Sequence, residues 1–182
     1  KYYSPIMAYG PRREYEMEQV IPFEDPEDWD SDPITRAVDA YQTGDRQTAY
    51  QMIAEILAED LRCIDAHAHL GNWEFNVSDS HFDFSKDRAK RHYEAGLRIA
   101  ELSFGENFND LLPWGHINNR PYLRCLHGYG LCLWRTGKAD AARKIFEKML
   151  WLNPWDNQGT RFLLADIDAG KSWQQLDMEE QV

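Results

Sequence analysis

Between residues 45 and 60 the apolar positions fall at Ala49, Met52, Ile53, Ile56 and Leu57, at spacings of three and four. That period lines one face of an amphipathic helix. The same period recurs at Ala89, Tyr93, Gly96, Leu97 and Ala100, and again at Ala142, Ile145, Phe146, Met149 and Leu150. Punctuation fits these stripes. Asp32 before Pro33 predicts an N-cap with proline in the first turn, and Gly44 predicts the stop. Asp45 and Ser85 predict caps of the next two striped helices. Pro121 opens and Gly137 closes a further helix, Asn153-Pro154 ends the one after it, and Asp156 and Gly170 bracket another. Ser172 with Gln175 has the spacing of a capping box. Alternating patterns of strand length are absent, so the predicted class is all-α. Residues 1–31 differ: prolines at 5, 11, 22 and 26 and an acidic run from Glu24 to Asp32 predict an extended, non-helical arm before a helical domain over 32–182.

The helices come in pairs, and the segment from Leu123 to Asp156 resembles one tetratricopeptide repeat (TPR), a 34-residue helix-turn-helix unit. Gly130 and Ala142 match the small residues where its two helices approach, and Gly137 the turn. Phe146 matches the aromatic that fills the gap, and Pro154 the terminal proline. Weaker copies fall on residues 30–63, with Ala37, Gly44, Ala49 and Ile53, and on 64–102, with Leu70, Gly71, Ala89, Tyr93 and Gly96. The middle copy carries an insertion around "NVSDSHFDF", and a second insertion, "SFGENFNDLLPWGHINN", precedes the third. Residues 157–182 serve as capping helices. The resemblance implies antiparallel pairs stacked in a right-handed solenoid. Over Asn119–Leu164 the chain also resembles a group of uncharacterised bacterial TPR proteins that carry R-P-[YF]-[ML]-R and L-N-P-N-D-N-Q-G-x-R, and it is similar to the suppressor-of-tumorigenicity TPR-like family. Arg120 and Pro121 open the first motif; Pro154, Asp156, Asn157, Gln158, Gly159 and Arg161 lie in the second, with Trp155 where the group has asparagine. Asp156 is expected to accept amide hydrogen bonds, Gly159 to permit close helix contact, and Asn157, Gln158 and Arg161 to brace the third repeat against the cap.

Composition narrows the partners. The 182 residues include 20 basic and 31 acidic side chains, a formal net charge of -11, which repels nucleic acid and anionic membrane surfaces. No apolar run approaches the roughly 18 residues of a membrane span, and no leader is visible, so a cytoplasmic setting is expected. Three cysteines without paired spacing, Cys63, Cys125 and Cys132, argue against a disulfide framework. "CIDAHAHLGNWEF" places Asp65, His67 and His69 in the D-x-H-x-H order of the first metal-binding strand of amidohydrolases. In the repeat register this stretch is a helix, where residues two apart point about 200° apart and cannot share a metal. A metal-dependent hydrolase is therefore the alternative, and no metal or cofactor is expected. A small-molecule sensor with a pocket near Trp114 and His116 is a third.

In TPR arrays the first helix of each pair lines a concave groove. By that resemblance the groove takes Arg124, His127, Leu131, Trp134 and Arg135 from the third repeat and Asn72, Phe75 and Asn76 from the middle one. Arginine, asparagine and aromatics suit a protein or peptide partner, an acidic one in particular. Trp134 equally suits ordinary packing. Gly128 stands where the carboxylate clamp of co-chaperone TPRs has a basic residue, which disfavours chaperone tails. The function expected is non-catalytic protein–protein interaction, with a homodimer among the partners. The acidic arm is expected either to dock on a groove or to pack Tyr2, Tyr3, Tyr15 and Phe23 outside the first helix pair.

Overall fold

The computed structural model describes residues 1–23, 25, 31–76, 84–105 and 107–175. Among them the regular elements are helices: α1 (Ser4–Tyr9), α2 (Pro33–Gln42), α3 (Arg46–Glu59), α4 (Ile64–Asn76), α5 (Phe84–Glu101), α6 (Arg120–Arg135), α7 (Ala139–Leu152) and α8 (Thr160–Asp168). The chain divides into two compact units, Glu18–Ser103 and Lys1–Met17 with Phe104–Val182. No helix of the described residues is long and apolar enough to cross a membrane.

The unit 18–103 holds α2 packed on α3 and α4 packed on α5. Asp32 caps α2 as its sequence predicts, accepting from the Ile34 amide at 2.8 Å and the Thr35 amide at 3.3 Å. Asp45 caps α3 through the Thr48 amide at 3.1 Å. The α3 stripe folds inward: Ala49, Ile53 and Ile56 are buried with Ile34, Ala37, Ala66 and Trp73 in one apolar cluster. Each buried isoleucine contributes about 1.5–3 kcal/mol relative to exposure, and each alanine methyl less. The α5 stripe is buried likewise. That helix begins at Phe84, so Ser85 lies inside it and is not the residue before its first turn. The insertion at 77–83 lies outside the described residues.

The unit formed by 1–17 and 104–182 is built on α6, α7 and α8. α6 packs on α7, and α7 on α8. Gly137 joins α6 to α7 at φ 78°, a left-handed turn where a side chain would be strained. Cys63 in the first unit and Cys125 and Cys132 in this one are buried and form no disulfide. Burial pushes the Cys63 thiol up to about 11, so it stays protonated as a small apolar group.

The arm departs from expectation. Residues 4–9 form a helix, because Pro5 sits in its first turn, where no amide partner is needed, and Met7 and Ala8 extend it before Gly10-Pro11. Residues 1–17 are not extended away from the domain. Tyr2, Tyr9 and Tyr15 meet partners in the 104–175 segment, not in the first helix pair. Phe23 is exposed. Most of the acidic run from Glu24 to Asp32 lies outside the described residues.

Candidate functional site

The opening of α6 sets out its polar side chains in a row. Arg120 donates from Nε to the Trp114 carbonyl at 3.0 Å, and its guanidinium stands 5.4 Å from the centre of the Trp114 ring. Arg124, one turn on, stands 5.9 Å from the same ring. Trp114 thus lies beside two cations, and its π face and their planes stabilise one another. His127 follows, half-buried, with its ring 6.2 Å from that of Phe146. Desolvation pulls His127 down to about 4 against the opposing pull of Asp156, so the imidazole is neutral. Leu131 and Arg135 are half-buried further along, and Arg135 stands 5.9 Å from the Trp173 ring.

Trp134 leaves this row. It is 2% exposed, its Nε1–H donates to the Lys171 carbonyl at 3.2 Å, and its ring meets Trp173 edge-on at 6.1 Å. A tryptophan buried with its N–H satisfied is core, so it is removed from the candidate groove. In the other unit Asn72 is also committed inward, accepting from the Tyr93 hydroxyl at 2.7 Å. Phe75 is half-buried and Asn76 exposed at the end of α4.

The residues read as structural behave mostly as their types require. A Cβ on Gly130 would run into the Phe146 ring, 2.8 Å from Cζ and nearer still to Cε1. A Cβ on Gly71 would lie 2.5 Å from Tyr93 Cε1. Ala142 is fully buried on α7, one turn before Phe146, and Pro154 follows the end of that helix. Asp156 accepts from the amides of Thr160 at 2.6 Å and Arg161 at 3.2 Å, which orients the start of α8. Arg161 reaches back to Asp156, the last residue of the 123–156 segment, at 2.8 Å. One detail differs from expectation. Gly159 adopts φ 69° immediately before α8, so backbone conformation and not close helix contact explains it. Asn157 accepts from Asn153 Nδ2 at 3.3 Å, and Gln158 is half-buried.

The D-x-H-x-H stretch lies in α4. His67 is buried, with Nε2 3.0 Å from the Leu61 carbonyl, whereas His69 faces Asp65 at 3.7 Å one turn away. The two rings therefore occupy different faces. Among the described residues no group of three or more His, Cys, Asp or Glu side chains is arranged to hold a metal ion. Near Trp114, His116 sits between Glu14 and Glu16, 3.3 Å from each. A cleft of about 460 Å³ opens elsewhere, between α1 and α7, over Ile6, Leu150 and Trp151 with Arg143 and Lys148 at its edge.

Sequence reasoning passed over one residue, Asn119. It is 0% exposed, and both ends of its amide bond to the backbone of residues 15–17. Nothing local marks it, since its partners lie about a hundred positions away in the chain.

No protein-family model matches the chain, and no curated protein matches it significantly.

Proposed function

We propose that this protein is a non-catalytic interaction module of the tetratricopeptide-repeat type, which holds a protein or peptide partner on the exposed sides of the first helices of its pairs. The carrying observation is a repeated contact. Gly71 on α4 admits the Tyr93 ring of α5, and Gly130 on α6 admits the Phe146 ring of α7. Ala37 and Ile53, fully buried in one cluster, stand at the matching places of α2 and α3. One packing device used twice, with a small and an aliphatic residue buried at the corresponding places of α2 and α3, supports a common helical-hairpin unit, and such units present their first helices for binding. On α6 the residues of this row that are half-buried and not fully enclosed are Arg124, His127, Leu131 and Arg135. Arginine beside tryptophan offers planar N–H donors to a carboxylate, and neutral His127 with Leu131 offers an apolar neighbour to it. These features favour an acidic peptide with an apolar anchor.

A direct test compares co-purification from the source cells by wild-type protein and by Arg124→Glu/Leu131→Asp. Folding of the variant is checked by far-UV circular dichroism. Partners enriched on the wild type and lost on the variant are expected. An unchanged partner set on a folded variant rejects this face as the binding site.

A further inference from the structure

Residues 13–17 read Arg-Glu-Tyr-Glu-Met, and the structure treats that alternation as a bound strand. Glu14 forms a parallel bridge with Leu111: the Tyr15 amide donates to the Leu111 carbonyl and the Leu111 amide to the Arg13 carbonyl, each at 2.8 Å. Asn119 continues the pairing with a side chain. Its Oδ1 accepts from the Met17 amide and its Nδ2 donates to the Tyr15 carbonyl, both at 2.9 Å. A buried carboxamide that matches a donor and an acceptor two residues apart reads extended backbone, whatever side chains it carries.

The side chains then sort by parity, as they must on a strand. Arg13 donates from Nη2 and Nε to Asp110 at 2.6 and 3.0 Å. Tyr15 meets the ring of Phe108 edge-on at 5.5 Å, and Phe108 in turn stacks on Phe104 at 4.3 Å. Met17 is 3% exposed. The even positions, Glu14 and Glu16, meet the two nitrogens of one ring, His116. Of these five residues only Met17 is buried, and Arg13, Glu14 and Glu16 are exposed. Their ion pairs are therefore weak holders. Attachment through one chain raises the local concentration of such a segment to the millimolar range, enough to keep a weak ligand in place.

We propose that Leu111, Phe108, Asp110, His116 and Asn119 form a peptide-recognition site that holds residues 12–17 as a displaceable internal ligand and takes, in trans, an extended peptide of the same pattern: arginine, acid, aromatic, acid, apolar. None of these residues is among the α6 residues proposed above, and the test involves none of those. The full chain is given a specific protease site beside exposed Asp25, cut, and titrated with a fluorescein-labelled peptide of residues 1–19, followed by anisotropy and by size exclusion. That peptide carries the contacts of residues 1–17, including those of Lys1 and Tyr2 to Asp168. The cut protein is expected to keep its helical signal, to release its N-terminal fragment as peptide is added, and to bind the peptide at least about tenfold more tightly than the uncut chain does. Peptides with Tyr15→Ala or Met17→Asp are expected to bind at least about tenfold more weakly. In the cut chain Asn119→Asp, which loses both N–H donors, is expected to weaken the wild-type peptide similarly. Loss of helix on cleavage, a fragment that excess peptide does not displace, or equal binding of wild-type and Tyr15→Ala peptides each overturns the proposal. The first two results make residues 12–17 a permanent part of the core, and the third removes the recognition.

Discussion

Gly130→Ala separates packing from helix propensity, because the two act in opposite directions. Inside a helix, replacing glycine by alanine ordinarily stabilises by about 0.8–1 kcal/mol. Here the added methyl group would overlap the Phe146 ring, which is fully buried and cannot swing aside into solvent. Overpacking of this kind costs about 1–3 kcal/mol. The sum is a net destabilisation of about 0–2 kcal/mol, opposite in sign to the propensity effect. Phe146→Leu makes room at the cost of a cavity, smaller than the about 3–5 kcal/mol of a Phe→Ala truncation. In that background Gly130→Ala is expected to be neutral or stabilising by up to about 1 kcal/mol. The cycle thus yields a coupling of up to about 3 kcal/mol between residues that touch. Urea unfolding of the four proteins, followed by far-UV circular dichroism, measures it. Gly137→Ala is the control: it has open space but φ 78°, so Phe146→Leu should not rescue its loss of about 1 kcal/mol. Gly130→Ala that is more stable than wild type, with no coupling to Phe146, would refute the close helix approach.

Other expectations follow from single sites. Ala142→Leu, at a fully buried position on α7, should destabilise by about 1–3 kcal/mol, read as a lowered thermal midpoint. Asp156→Ala removes acceptors from the Thr160 and Arg161 amides and should cost about 0.5–2 kcal/mol in urea. His127 has a folded pKa near 4, below its ordinary value, so the unfolded chain takes up the proton first. Stability should therefore fall as pH drops from about 6.5 towards 4. His127→Gln should make that interval shallower, leaving the share of His67 and His92, which burial also pushes down, and the carboxylate-driven loss at lower pH, where Asp60 gives up its tie to Arg62. Elemental analysis should find no stoichiometric metal; about one per chain, lost on His67→Ala, would overturn the helical reading of α4.

The local and periodic features of this chain were written in its residues. Asp32, Asp45, Gly44 and Gly137 bound their helices because capping and left-handed turns depend on a few neighbouring backbone groups. The apolar stripes of α3, α5 and α7 named the buried positions, since a helix has one period and one inward face. The spacing of small and aromatic residues likewise marked where paired helices approach, and there the structure has Gly130 admit Phe146 and Gly71 admit Tyr93. Tertiary structure alone decided which long-range partners polar and aromatic groups would find. Trp134 has groove spacing, yet the Lys171 carbonyl and Trp173 bury it. Asn72 has the chemistry of a ligand contact, yet the Tyr93 hydroxyl occupies it. Proline and charge marked residues 1–31 as an arm. The place of residues 1–17 beside 104–175 depends on Asn119, Leu111 and Trp151, about a hundred residues distant or more, whose availability no local pattern encodes. Helix period and capping repeat within a few residues and so can be read along the chain. A hydrogen bond across a hundred residues exists only once the fold has brought its two ends together.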